Sequence, residues 1–449
     1  MKLIRIYLLL AGLVFLIGNV NAQDKWSLNE CINYALEHNL DQHLLSLSEK
    51  SAKIDASQAK LNFLPSISAS SSADLSFGRS VDPNTNDVVN TEVFSNSHSL
   101  SSSLTLFRGF IQKNQIAYSQ FKHKAAQWRT VYHEDDLAFS ILTAYYDVVY
   151  FRGMVEIARE QMDLSEQILK KTETYIETGL KAQTDLAEMQ STYEKEKLNL
   201  IQSENTKEEA KLRLRQQMNL PVGELNSMQI GIEEPVVASD LSVAADSLYA
   251  SFVELSPYVK IAEAEWHATE KGLDMVRGQF LPSIYFNASV NSGYYETNRD
   301  AEGNTISYAD QFDNNMSQYL GASISIPIFQ KNQIRNEYRQ AKLAEEQARI
   351  QLDSYRQTVY YELLNNARDL KALFREYIQT GKQVEADEQA YHVAQRKYEE
   401  GIIDVIELQT VKNRLAEAKS QNLRAQLQWR IKVRIVDFYK GIRFWEGSF

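Results

Sequence analysis

Apolar side chains recur every seven residues along two stretches of this chain, and the two rows run in parallel. The first is Ile141, Val148, Val155, Met162, Leu169 and Ile176; the second is Leu363, Leu370, Tyr377, Val384, Tyr391 and Tyr398, 222 positions later. A strict seven-residue repeat commits a segment to helix that buries one seam against another helix. The surrounding stretches, about 110–174 and 330–397, hold hardly a Gly or Pro. About 60 helical residues would extend ~90 Å. The rows end near Gly179 and Gly401, residues suited to the position just past a helix C-terminus. A returning helix is expected after each, and after the second it carries Leu408, Val411, Leu415 and Ala418 as a seam.

The rows belong to a larger duplication. FLPSI stands at 63–67 and again at 280–284, EHNLDQHLLSLSEKSA (37–52) aligns with ELSPYVKIAEAEWHAT (254–269), KNQI recurs at 113–116 and 331–334, and YIETGLKAQTDL (175–186) aligns with KYEEGIIDVIEL (397–408). Ordered matches over most of the chain point to one unit made twice. The expected repeats are 23–243 and 244–449. Each opens with a helical stretch, near 28–62 and 244–279. Proline in FLPSI then ends the helix.

Two alternating stretches follow in each repeat, spanning 64–108 and 281–329. Ile67, Ala69, Ala73, Leu75 and Phe77 share one parity, as do Leu100, Leu104 and Leu106; serines fill much of the other. In the second repeat Ile284, Phe286, Ala288 and Val290 alternate with Tyr285, Asn287, Ser289 and Asn291, and Leu320, Ala322, Ile324, Ile326 and Ile328 share a parity. These are period-2 strands with one apolar and one small polar face. Each has the ~10 residues that a tilted strand needs to cross a bilayer. The connections 79–93 and 297–314 read as exposed loops.

The first 22 residues explain why a membrane is at issue. Lys2 and Arg5 precede an apolar run from Ile6 to Ile17, and Val20-Asn21-Ala22 supplies small residues for cleavage. This is the pattern of a secretory signal peptide, 1–22. Removing it takes two basic residues from 48 and leaves 46 against 59 acidic ones, a net charge of −13. The single cysteine, Cys31, excludes an internal disulfide framework and does not sit at the cleavage point. No later stretch reaches the ~18 apolar residues of a spanning helix, so strands are the expected route across a membrane. Four strands cannot close a barrel, because about eight is the minimum. The chain is therefore expected to oligomerise.

Several function classes drop out. A net charge of −11 gives no electrostatic basis for binding nucleic acid. The seven histidines show no metal-ligand spacing, and no phosphate loop or nucleophile elbow is present. No enzyme activity, cofactor or metal is expected. A coiled-coil periplasmic scaffold would account for the heptads but not for four amphipathic strands.

SLNECINYALEHN near the start, FLPSI before each hairpin, LFRGF and PIFQKNQI after them, and TGLKAQTDL and EGIIDVIEL at the helical turns together resemble the TolC-type outer-membrane efflux proteins. The resemblance covers essentially the whole chain after the signal. It implies a mainly α fold with a small membrane β-barrel. Three chains would form an α-barrel of long coiled-coil helices and share one 12-stranded barrel in outer-membrane lipid. It also implies a periplasmic adaptor and an inner-membrane pump of RND or ABC type docking near the helical tips. The implied role is a passive export duct for small molecules; an outlet for type I protein secretion is the nearest variant.

The resemblance also assigns candidate residues. Gly179, Leu180, Gly401, Ile402 and Ile403 would form the adaptor-contact tips. Glu407, Tyr398, Thr410 and Asp185 would lie at the pore constriction, with Glu407 as an acidic ring. Thr410 stands where the family places a second acid, and Ile403 replaces a gating arginine. Read from the residues alone, Glu407 and Asp185 equally suit the N-terminal end of a helix, where acids are stabilised.

Overall fold

The computed structural model describes residues 25–81, 86–90, 92–179, 182–221, 229–231 and 245–446. The signal peptide 1–22, Leu180 and the boundary at 243/244 lie outside the described residues.

The main helices come in matched pairs. In chain order they are α1 (Leu28–His38), α2 (Leu40–Leu61), α3 (Ile111–Glu177), α4 (Gln183–Gln217), α5 (Ala245–Phe252), α6 (Pro257–Gly278), α7 (Tyr308–Asn314), α8 (Gln333–Glu399) and α9 (Val405–Tyr439). α2 and α6 are each 22 residues long, α3 and α8 each 67, and α4 and α9 each 35. The expected helix 28–62 is broken at Asn39, whose Oδ1 accepts from the Gln42 amide at 3.1 Å and so caps α2. The expected helix 244–279 breaks at the corresponding place, 217 residues on, where Ser256 precedes Pro257. Proline suits a first helical position because its missing N–H would be unpaired there anyway. α1 begins with a capping box between Ser27 and Glu30.

Four strands, β1 (Ser66–Ser76), β2 (Val93–Arg108), β3 (Ser283–Tyr295) and β4 (Ser317–Ser325), form an antiparallel sheet in the order β1-β2-β3-β4. Pairing places Leu100 beside Ala69 and Val290, and Phe286 beside Leu104 and Ala322, on one face. The other face carries hydroxyls: Ser66 with Ser103, Ser68 with Ser101 and Ser72 with Ser97 are each 2.9 Å apart. The alternation is therefore real across all four strands, with two departures. A bulge between Thr105 and Phe107 removes Leu106 from the apolar row and pairs Phe107 with Ile284 instead. β4 ends at Ser325, so Ile326 and Ile328 lie beyond it; Pro327 cannot donate to a ladder.

The connections are more ordered than loops. Arg79–Val81 pairs with Val88–Asn90 as a short ribbon. Within 297–314, α7 is anchored by Gln311, which is 1% exposed and bonds both the N–H and the carbonyl of Tyr295 at 3.0 Å. Tyr308 Oη meets His98 Nε2 at 2.8 Å.

The chain divides into two compact units: Met1–Ser46, Arg129–Val259 and Tyr355–Phe449 in one, Leu47–Trp128 and Lys260–Ser354 in the other. Each takes segments from both halves of the sequence. The first holds the helical turns and the second the sheet. Within the sheet-bearing unit, Gly109 and Gly278 touch backbone to backbone. A Cβ on Gly109 would lie 2.0 Å from the Gly278 carbonyl oxygen. No helix among the described residues is long and apolar enough to cross a membrane.

Candidate functional site

The helical turns are built from four helix ends. Lys397, Tyr398 and Glu399 close α8. Gly401 has φ +75°, its N–H donates to Tyr398 O at 3.1 Å, and the Ile402 N–H reaches back to Lys397 O at 2.8 Å. That pair of bonds is a Schellman motif with glycine at C′, the one position that needs a left-handed backbone. Gly179 repeats the conformation at φ +77°, with its N–H on Ile176 O at 2.9 Å. A Cβ at either glycine would meet nothing within 4 Å, so backbone strain alone selects glycine there.

The starts of the returning helices differ. Asp404 caps α9, its carboxylate accepting from the Glu407 amide at 2.8 Å. Ile403 precedes that cap and packs in one cluster with Leu408, the arrangement of a hydrophobic staple. α4 has Ala182 at its N-cap position, which offers no side-chain cap. Asp185 and Glu407 thus occupy the same position of their helices, the third residue after the cap, where the helix dipole favours an acid.

The candidate residues therefore separate. Glu407 and Thr410 are exposed and Asp185 is half-buried. The Thr410 hydroxyl donates to Ile406 O at 2.8 Å. Ile402 is 64% exposed, whereas Ile403, expected beside it on the surface, is 9% exposed because the staple draws it inward. Tyr398 is 2% exposed and sits in the core of the turn with Ile168, Met189, Tyr391 and Leu408. Its hydroxyl is 2.9 Å from Thr172 Oγ1, which itself donates to Ile168 O at 2.8 Å. Burial first, and then the nearby Asp185 carboxylate, raises the Tyr398 pKa above the ordinary phenol value. Tyr398 thus joins the two turns: α8 supplies the phenol, α3 its partner Thr172, and α4 the neighbouring acid.

Lys412 was not singled out from the sequence. It lies four residues after Leu408, on the side of α9 that faces its neighbours, and is 1% exposed. Its ammonium donates to Ser165 Oγ at 2.7 Å and to Glu196 Oε1 at 3.2 Å, tying α9 to α3 and α4. Burial holds its pKa below the ordinary lysine value, against the pull of Glu196. Gln409 adds a bond to Thr192 at 2.9 Å. The only trace of this in the sequence is a charge between Leu408 and Leu415 of an apolar seam.

The sheet is the second candidate site. One apolar face, one hydroxyl face and two outer strands, β1 and β4, each with one neighbour, describe an open sheet. No group of three or more His, Cys, Asp or Glu placed to hold a metal occurs among the described residues.

The family model for outer membrane efflux proteins matches residues 31–220 and 248–437. The chain belongs to that family, and its place is the outer membrane. It is similar to the pyoverdine export outer membrane protein OpmQ of Pseudomonas aeruginosa, at 23% identity over 311 residues, 68% of this chain and 62% of that protein. It also resembles the outer membrane protein TolC of Escherichia coli, at 23% identity over 351 residues, 74% of this chain and 69% of that one. The match thus spans less than two thirds of OpmQ. The Campylobacter jejuni CmeC outer membrane channel superposes with a TM-score of 0.81 over 94% of this chain and 87% of its own, at 14% identity. That likeness is one of fold.

Proposed function

We propose that this protein is the outer-membrane duct of a tripartite efflux system. It exports small molecules such as drugs or toxic compounds passively, once an inner-membrane pump of RND or ABC type has loaded them. The observation that carries the reading is the four-stranded sheet, apolar on one face and lined with serine hydroxyls on the other, with unpaired outer strands. In lipid an unpaired edge costs several kcal/mol per polar group. Three copies would bring β1 of one chain to β4 of the next and close a 12-stranded barrel, apolar outward and hydroxylic inward. The two sequence repeats, 23–243 and 244–449, would then supply equivalent helical hairpins to one trimeric tunnel.

The turns would receive the periplasmic adaptor, with Gly179, Leu180, Gly401 and Ile402 at the contact and Ile403 supporting Ile402 from within. Glu407 would form the acidic ring of the constriction, with Asp185 contributing less and Thr410 leaving out a second ring. Tyr398 would act on the constriction by holding the hairpins together. Three carboxylates a few ångströms apart in a partly wet pore interact by roughly 1–4 kcal/mol per pair. Such a ring attracts cations.

Single-channel conductance in planar bilayers tests both parts. The trimer should conduct, divalent cations should impede the current, and protonation should weaken the block. Glu407→Gln should remove most of it, and Asp185→Asn should remove less. Absence of any channel would end the duct reading. A channel whose divalent block survives Glu407→Gln would leave the duct and remove Glu407 from the constriction.

A further inference from the structure

Away from the turns and the sheet, five helices of the helical unit converge on a cavity of about 310 Å³. α3 presents Tyr132, Asp135, Asp136 and Phe139, spaced so that they share one helix face. Phe252 ends α5, Tyr258 opens α6, Val359 and Glu362 come from α8, and Phe438 and Tyr439 end α9.

The interior is aromatic. Phe438 stands with its ring centroid 4.9 Å from Phe139 and 5.7 Å from Phe252, which lies 4.9 Å from Tyr439. Tyr132 and Tyr258 form a further wall at 5.6 Å. Three carboxylates accompany these rings. Asp135 is 5% exposed, and its buried Oδ1 accepts no hydrogen bond; Arg443 Nη2 is 3.4 Å away. Arg443 is not among the lining residues and is shared with Glu446 at 2.6 Å. Asp136 and Glu362 are exposed, and neither has an ion-pair partner among the described residues. Glu362 lies close enough to raise the pKa of Tyr132, Tyr258 and Tyr439, the last two to about 12, with burial as the larger cause in each. The phenols stay neutral and Asp135 faces Arg443, so the carboxylates of Asp136 and Glu362 set the sign of the field at the mouth.

We infer that this cavity is a binding site for a small organic ammonium ion with an apolar body. Ring faces attract a cation most strongly where water is thin, and carboxylates at the mouth add Coulomb attraction. The volume is at the lower end of the range for small-molecule sites, roughly 300–1,000 Å³. An anion would meet the Asp136 and Glu362 carboxylates at the mouth, and a bare metal ion would find aromatic walls where it needs oxygen ligands. The inference stands apart from the duct reading, because none of these residues belongs to the turns or the sheet.

The test is calorimetric titration of the detergent-extracted full-length protein with benzyltrimethylammonium and with its neutral isostere, neopentylbenzene. Saturable binding of the cation is expected, with the isostere at least about tenfold weaker. The double variant Asp136→Asn, Glu362→Gln alters only exposed side chains and should weaken cation binding about tenfold. Native mass and far-UV spectra, unchanged from wild type, would show that it still assembles. No saturable binding to wild type would overturn the inference, as would equal affinity for the isostere or full affinity in a folded double variant. A cavity covered by a neighbouring copy would give the first of these results.

Discussion

Two buried charges stand out at the scale of single residues. Lys412 is held in the interior by Ser165 and Glu196, and Glu196 is itself only 12% exposed at the side chain. Glu196→Gln would leave the ammonium buried without its counter-charge. Removing one partner of a buried pair costs roughly 3–5 kcal/mol. Lys412→Met should cost less, because the carboxylate left behind still accepts from Asn199 Nδ2 at 3.1 Å, and the double variant should recover most of the loss. Thermal melts of the four proteins in detergent would show this as a coupling; strictly additive shifts would mean that the pair is not a unit. Asp135 gives a pH signature. Burial pushes its carboxyl to about 7 from 3.8, against the lowering influence of Arg443. The folded state then binds more protons than the unfolded state between those values. This contribution is fully present below about pH 4 and is lost as pH rises towards 7. Asp135→Asn should flatten that slope, and melting temperatures from pH 4 to 8 would reveal an unchanged slope if another group is responsible.

At the scale of elements, the two turns share a glycine and differ in their caps. Gly401→Asn should be tolerated, since Asn accepts the left-handed region, while Gly401→Val should cost at least about 1–2 kcal/mol although space is open. Asp404→Ala removes a cap worth about 1 kcal/mol. Ala182→Asp should supply the missing one and steady the start of α4 by a comparable amount. Hydrogen exchange at the first turns of α4 and α9 reports each change separately. Faster exchange near Glu407 in Asp404→Ala and slower exchange near Asp185 in Ala182→Asp are the expected results. Exchange unaffected by either substitution would mean that packing, not capping, holds these ends.

For the whole molecule, closure of the sheet is the decisive matter. β1 and β4 are separated within one chain by three strand spacings, about 14 Å at ~4.8 Å each. A disulfide needs Cα atoms within ~7 Å, so these strands cannot be bridged inside a single chain. A cysteine at Ser68, Ser70 or Ser72 combined with one at Ser317, Tyr319 or Ser323 should therefore give covalent trimers on oxidation. Native Cys31 is buried and should stay silent. A scan that yields only monomers, from protein that runs as a monomer by native mass, would defeat the shared-barrel assembly.

Much of this architecture is local information and was legible in the residues. The heptad rows specify the seams of α3 and α8, the glycines specify where those helices turn, and the alternation specifies the faces of the four strands. Periodicity works because it depends only on how successive side chains are arranged around one element. The sequence also pointed to Gly179 and Gly401 as helix ends, and the backbone at both is left-handed. Burial set by partners from elsewhere in the chain could not be read in this way. Ile403 lies beside exposed neighbours, yet the staple to Leu408 draws it into the core of the turn; the heptad row already buries Tyr398, but nothing in it names Thr172 as the partner of the phenol. Lys412 looks like a solvated charge until α3 and α4 enclose it. The aromatic cavity draws on residues more than 300 positions apart, from Tyr132 to Tyr439. Spacing along the chain encodes the face of an element; only the packing of several elements decides which of its polar groups lose water.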